Sequence, residues 1–288
     1  MNNPRRGRFA PTPSGPLHLG SLLTAVASWL DANRRGEWLL RIDDLDQPRC
    51  RPEHEASIRN SLIAFALNSP LPPSRQSDRS ARYAEALTAL GERVPLFFCD
   101  CTRRDLLGED DPCCVRDCRR RHCDPQNSAL RADLTVLAAC AITDRSLGKL
   151  AFEPQIQRDV VVRRRDGLYS YQLACVIDDA DQGITDVVRG ADLLPSTRWQ
   201  LALQQALELE RPSYLHLPLV VEADGRKLAK SRHAAAIEPQ FAVQQLRQAL
   251  GWLKQETPPA ECNSTAAILD WALSRWDPAR FAGVETVS

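Results

Sequence analysis

Between His18 and Asn33, apolar residues recur at helical spacing (Leu19, Leu22, Leu23, Val26, Leu30), which predicts a helix with one buried stripe. Before it stand a short β-compatible run, Arg6–Ala10, and the loop Pro11-Thr12-Pro13-Ser14-Gly15-Pro16, whose three prolines forbid helix. Gly36 reads as the helix stop, and Trp38–Ile42 as an apolar strand running into Asp43-Asp44-Leu45-Asp46. Strand, Gly/Pro loop, helix, strand is the opening of a parallel α/β sheet. Further helices are predicted at 53–68, 78–92 and 196–210, and further strands at Asp159–Arg164, Ser170–Ile177 and Leu215–Val221. After Lys230 the pattern is helical, with breaks at Pro239 and Pro258-Pro259. The chain thus divides into a first half of an α/β domain (1–96), an insert (97–150), the second half (151–232) and a helical C-terminal segment (233–288).

The insert departs from the rest in texture. From Phe97 to about Arg121 apolar periodicity gives way to cysteine, charge and a proline, so this stretch needs a staple other than a core. Six of the ten cysteines lie here: Cys99, Cys101, Cys113, Cys114, Cys118 and Cys123. In a reducing compartment such a cluster suggests metal ligation rather than disulfides. Cys99 and Cys101 form a C-x-C pair, Cys114 and Cys118 a C-x₃-C pair, and twelve residues separate the pairs. Four thiolates at that spacing suit tetrahedral structural Zn(2+), one per chain. Cys113, His122 and Cys123 are alternative ligands. Cys50, Cys140, Cys175 and Cys262 read as small buried hydrophobes, and Arg119-Arg120-Arg121 as a solvated charge run.

Composition narrows the class. Hydrophobic residues at 43% and charged residues at 26% describe an ordinary globular enzyme. Thirty-seven basic residues balance 37 acidic ones, which excludes a protein that holds nucleic acid by bulk charge. The longest apolar stretch, Leu22–Leu30, is far short of the roughly 20 residues of a membrane span, and the first residues carry no apolar signal core. A cytoplasmic monomer with no membrane partner is expected.

Two loops carry candidate chemistry. Pro13-Ser14-Gly15-Pro16-Leu17-His18-Leu19-Gly20-Ser21 delivers a helix N-terminus, whose free N–H groups and dipole favour an anion. Gly15 and Gly20 would let a phosphate approach the backbone, and His18 could donate to a phosphoryl oxygen. Some 200 residues later, Gly225-Arg226-Lys227-Leu228-Ala229-Lys230-Ser231 places two lysines in a small-residue loop, a clamp for charge developing on a transferring phosphate. A lone K-x-x-K is usually a solvated turn, but the combination resembles the HIGH and KMSKS signatures of class I aminoacyl-tRNA synthetases.

The neighbouring motifs are Arg8–Gly15, Arg41–Asp46, Tyr171-Gln172-Leu173-Ala174 with Asp178-Asp179, and Arg189–Leu194. In that order they are similar to the glutamyl-tRNA synthetase catalytic core over roughly residues 5–235. With the cysteine-rich insert and no anticodon-binding domain after it, the chain resembles the glutamyl-queuosine tRNA(Asp) synthetases. That resemblance implies a Rossmann-like class I catalytic domain with an inserted zinc-binding subdomain. It implies a ligase that converts L-glutamate and Mg-ATP to glutamyl-adenylate and passes glutamate to queuosine in the tRNA(Asp) anticodon stem-loop. Carried over by motif, His18 and Lys230 would be catalytic, and Gly20, Ser21 and Lys227 would join them at ATP. Arg8, Phe9, Ala10, Pro11, Thr12, Asp43, Tyr171 and Arg189 would bind glutamate. Asp43 stands where the family usually has Glu, and Cys114 where it often has a tyrosine ligand. The alternatives are a truncated synthetase charging the 3′ end of tRNA(Glu), and a non-catalytic binding paralogue.

Overall fold

A computed structural model describes residues 5–34, 36–102, 105, 114, 117–152, 158–221 and 236–287. The chain opens with β1 (Arg5–Phe9), α1 (Leu19–Asn33) and β2 (Gly36–Ile42), as the hydrophobic pattern predicts. Then come α2 (Pro52–Ala64), the two-residue β3 (Ser74–Arg75) and α3 (Ser80–Gly91). β4 (Leu96–Cys99), β5 (Ala129–Asp133), β6 (Cys140–Asp144), β7 (Gly148–Phe152) and β8 (Asp159–Arg163) occupy the middle. α4 (Tyr171–Asp181), β9 (Asp186–Gly190), α5 (Leu194–Ala206), β10 (Ser213–Leu217) and β11 (Leu219–Val220) follow. α6 (Ala242–Trp252), α7 (Thr265–Arg275) and β12 (Thr286–Val287) end it.

Strands pair in the order β10-β9-β1-β2-β3, all parallel, to make the central sheet. Side chains alternate between its faces. Phe9, Trp38, Leu40, Ile42, Val188, Leu215 and Leu217 point to one face and form a single core with α1, α6 and α7. The other face carries Arg8, Arg41, Arg189 and His216, all buried, beneath α4 and α5. A separate antiparallel sheet, β4-β5-β8, closes a second core with α3, α4 and α5. The β6–β7 hairpin packs on the central sheet through Cys140, against Leu39, Val187 and Tyr214.

Four local features depart from the sequence pattern. Ser170–Ile177 is not a strand: Ser170 caps α4, its hydroxyl accepting from the Leu173 amide at 3.3 Å. α4 buries seven consecutive residues, Leu173–Asp179, and so short an apolar run as Leu173–Ile177 is indistinguishable from a buried strand. Gly36 does not stop α1; it starts β2, where a Cβ would sit 1.7 Å from the Arg5 carbonyl oxygen. Pro218, which has no amide to donate, divides the expected strand 215–221 into β10 and β11. Among the described residues of the C-terminal segment, α6 and α7 are followed by the strand β12, which pairs with β11.

Candidate active site

A cleft of about 500 Å³ opens at the carboxyl ends of β1, β9 and β10. Ligands of open parallel α/β sheets bind at such strand ends. Arg8, Phe9, Ala10, Pro11 and Thr12 form one wall, the first turns of α1 with His18, Gly20 and Ser21 a second, and Tyr171 and Arg189 a third. Residues predicted separately for glutamate and for ATP therefore share one cavity. Gly15 does not line it, and a Cβ there would meet no atom within 4 Å. Lys227 and Lys230 lie outside the described residues.

His18 is the N-cap of α1. Its Nδ1 accepts from the Ser21 amide at 3.3 Å, while Nε2 lies 3.1 Å from Ser21 Oγ. With Nδ1 as acceptor, the proton resides on Nε2 and is donated to Ser21 Oγ, so the two residues would meet a phosphoryl oxygen as a coupled pair of donors. Ser21 thus holds the ring in place from the same turn.

The two arginines of the cleft differ in what neutralises them. Arg8, 4% exposed, donates to both carboxylate oxygens of Asp179, Nε to Oδ1 at 3.0 Å and Nη2 to Oδ2 at 3.2 Å. Arg41 donates to the same Asp179 at 2.6 Å and to Asp43 at 2.8 Å. Burial alone would push the Asp179 carboxyl up, but the two guanidinium groups bring it down to about 2. For Asp43 burial prevails over Arg41, and its carboxyl is pushed up to about 6. Asp43 does not line the cleft; its amide donates to the Pro11 carbonyl at 3.0 Å, behind the wall.

Arg189, 3% exposed, makes no ion pair among the described residues. Its partners are Gln200 Oε1 at 2.7 Å, Thr197 Oγ1 at 2.7 Å and His216 Nε2 at 3.4 Å. A buried cation held by neutral groups and facing a cavity is poised for an anion, because its desolvation is otherwise uncompensated. Asp179, Arg41, Thr197, Gln200 and His216 were not singled out as functional residues by the pattern. Arg41 and Asp179 do fall inside the motifs Arg41–Asp46 and Asp178-Asp179, and His216 is a polar residue inside the apolar run Leu215–Val221 that burial obliges to have partners; Thr197 and Gln200 carry no such signal.

In the insert, the Sγ atoms of Cys99, Cys101, Cys114 and Cys118 all lie within 4.8 Å of one another. Cys101 is 4.0 Å from Cys114 and 3.7 Å from Cys118. A tetrahedron with metal–sulfur bonds of about 2.3 Å has sulfur–sulfur edges near 3.8 Å, so this cluster fits a metal ion. The Cys118 amide donates to Cys114 Sγ at 3.4 Å, and burial pushes the Cys99 thiol up to about 11. Cys114 is therefore in the cluster. His122 is exposed, Cys123 lies beside Cys118 and Asp100 but outside the set of four, and Cys113 falls outside the described residues. Arg119 is not a solvated charge: it donates to Asp133 at 2.6 Å and Asp159 at 3.1 Å, and Asp159 also accepts from the Cys114 amide. Asp159 thereby ties the cluster to β5 and β8. Cys140 and Cys175 are buried as expected, Cys50 and Cys262 only partly.

Residues 5–250 match the family of class I tRNA synthetases (E and Q), catalytic domain. A glutamyl-Q tRNA(Asp) synthetase from Xanthomonas campestris pv. campestris is 43% identical over 99% of this chain and 95% of its own length. The chain belongs to the glutamyl-Q tRNA(Asp) synthetase family. One further member, from Pseudomonas putida, is 42% identical over 100% of this chain and 98% of its own. The fold also matches the crystal structure of glutamate-tRNA synthetase from Elizabethkingia anophelis. There the TM-score is 0.80 at 23% identity, covering 99% of this chain and 68% of that one. Membership of this family makes the chain a ligase with a class I catalytic fold. No described helix is long and apolar enough to cross a membrane.

Proposed function

We propose that the chain activates L-glutamate with Mg-ATP to glutamyl-adenylate, releasing pyrophosphate, and then transfers glutamate to the queuosine base in the anticodon of tRNA(Asp). The observation that carries the amino-acid half is Arg189, a buried guanidinium at the cleft wall whose described partners are all neutral. A substrate carboxylate supplies the missing charge. Arg8 is already matched by Asp179, so it shapes the wall and adds hydrogen-bonding geometry rather than net charge. Phe9 to Thr12 and Tyr171 complete the pocket; Asp43, bonded to Arg41 behind Pro11, adds its charge at a distance and makes no contact with the ammonium. ATP lies across the α1 N-terminus, with His18, Gly20 and Ser21 at its phosphates and Lys227 and Lys230 as the cations that complete its site. Glutamate's carboxylate is the nucleophile at the α-phosphate, so the protein contributes positioning and electrostatics and forms no covalent intermediate.

The queuosine acceptor rests on the names of the 42–43% identical relatives. An anticodon stem-loop would enter the cleft, and few phosphates would need neutralising, in keeping with a zero net charge. Zn(2+) is the metal we assign to Cys99, Cys101, Cys114 and Cys118, as a staple for the insert; when bound it would hold four thiolates in one geometry. The working unit is a cytoplasmic monomer.

The test has two arms. ATP–pyrophosphate exchange should require glutamate but not tRNA, and should be largely lost in Lys230→Ala. Queuosine-containing tRNA(Asp), or its isolated stem-loop, should accept labelled glutamate, while an unmodified transcript should not. A site built around hydrogen bonds to the modified base would reject one lacking them by roughly 10⁴-fold. Charging of unmodified tRNA(Glu) at its 3′ end would replace the queuosine reading with the truncated-synthetase one. Absence of exchange under every condition would favour a binding module.

A further inference from the structure

Arg189 is held from behind by a chain of buried polar groups that begins in another part of the fold. His216 is its in-register neighbour on β10, so the two side chains stand side by side on the same face of the sheet. His216 Nε2 accepts from Arg189 Nε at 3.4 Å and lies 3.0 Å from Thr197 Oγ1. The opposite ring nitrogen, Nδ1, lies 2.6 Å from Asp144 Oδ2, and both side chains are fully buried. An ionised carboxylate only accepts, so Nδ1 carries the proton and Nε2 is left free to accept from the guanidinium. Burial holds the His216 pKa below its ordinary value against the pull of Asp144, and Arg189 adds to the lowering.

Asp144 ends β6, at the tip of the β6–β7 hairpin. Its Oδ1 accepts from the amides of Ser146 and Leu147 at 2.9 and 3.0 Å. Three further contacts lock the same tip, two to β10 of the sheet and one to α1. The Arg145 amide donates to the Tyr214 carbonyl at 3.0 Å, Ser146 Oγ donates to the His216 carbonyl at 2.5 Å, and Arg145 pairs with Asp31 at 2.6 Å. The hairpin therefore delivers a negative charge to the far side of an imidazole whose near side touches Arg189. Tyr214 adds a second support, its ring 5.3 Å from the Arg189 guanidinium carbon and stacked on His216.

We propose that His216 and Asp144 are positioning residues for Arg189, making the β6–β7 hairpin a working part of the amino-acid site. The inference rests on the proposed glutamate site. A direct carboxylate partner would have neutralised Arg189 and closed it to substrate. A carboxylate one imidazole away orients the guanidinium and partly offsets its burial, while its outward N–H groups remain available to an incoming anion. The arrangement also fixes which guanidinium edge faces His216, so that the edge turned to the cleft is pre-set before substrate arrives.

The test is steady-state ATP–pyrophosphate exchange. His216→Phe should raise the KM for glutamate by roughly 10- to 100-fold, the range expected when a buried hydrogen-bond partner is lost. The KM for ATP and kcat should stay within about twofold, because the phosphate end of the cleft is untouched. His216→Gln, which keeps a neutral acceptor, should recover most of the loss, and Asp144→Asn should give a smaller change in the same direction. Parallel changes in all three constants would mean a structural role only and overturn the inference, as would an unchanged glutamate KM. Should His216→Phe fail to fold, the imidazole ¹⁵N spectrum of the wild-type protein decides. A neutral ring protonated at Nδ1, with an Nε2 resonance that moves on adding glutamate, is expected; a ring protonated at Nε2 overturns the chain. Wild-type exchange that ignores glutamate would instead remove the substrate assignment.

Discussion

In the cleft, buried cations meet carboxylates of the same chain; in the insert, four thiols are crowded within 4.8 Å of one another. Arg8 and Arg41 share Asp179, which their charge brings down to about 2, so that layer is balanced once the chain has folded. The cysteine cluster has the reverse character. Burial pushes the Cys99 thiol up to about 11, and four thiolates at this distance repel one another unless a cation joins them. The cleft is therefore preorganised by the fold, whereas the four cysteines of the insert form a set that a bound cation would hold together. Arg189 stands between the two cases: its scaffold is complete, but its described partners, Thr197, Gln200 and His216, carry no negative charge.

The sharpest way to break this contrast is to exchange the roles of the two cleft arginines. Arg189→Leu should lower glutamate-dependent exchange by roughly 100-fold or more, the cost of removing one side of a buried charge contact, and leave thermal stability nearly unchanged. Arg8→Leu should destabilise the protein by about 3 kcal/mol, because Asp179 keeps Arg41 but loses its second cation. A large stability loss in the Arg189 variant and none in the Arg8 variant would reverse the assignment.

Metal removal tests the other side. A chelator, or Cys118→Ser, should release the metal and lower the thermal midpoint by about 5 °C or more, with Cys99→Ser behaving alike. Arg189→Leu should keep its full metal content. Full metal occupancy in a Cys99/Cys118 double variant would sink the ligand set.

A smaller effect is expected from pH. Asp43, raised to about 6, is ionised at pH 7.5 and loses its charge as pH falls through 6. The glutamate KM should therefore rise as pH drops from 7.5 to 5.5, and Asp43→Asn should flatten that dependence. The linkage sign for stability is opposite in the two aspartates. A raised folded pKa means that the native state holds the proton more tightly, so Asp43 adds stability as pH falls from about 6 towards 4. Asp179 contributes stability that is complete above about 4 and is lost as pH falls towards 2. The smallest change should come from Cys123→Ser, which sits beside the cluster but outside the four, and from Cys50→Ser; neither should alter metal content.

The linear sequence was sufficient for the parallel α/β core. Its strand–loop–helix opening is written in local periodicity, which burial on one face imposes directly on residues 6–42. The C-x-C and C-x₃-C pairs were legible for the same reason, since chelation by neighbours in the chain leaves short fixed spacings. The aromatic and proline wall from Phe9 to Thr12 follows from one strand and one loop and was equally visible. What the sequence could not show was how charge is shared. Arg8 and Arg189 are the same residue type at similar places on neighbouring strands, yet Asp179 on α4 answers one of them, while the other is met by neutral groups on α5 and β10. Those partners lie 171 positions from Arg8, and 8 to 27 positions from Arg189, with Asp144 a further 72 from His216. α4 reads as a strand from its sequence because its apolar residues, Leu173–Ile177, form one short uninterrupted buried run. Burial on all sides removes the contrast between polar and apolar positions that a sequence pattern depends on, so at the buried centre of the site only the packed tertiary structure decides which charges meet.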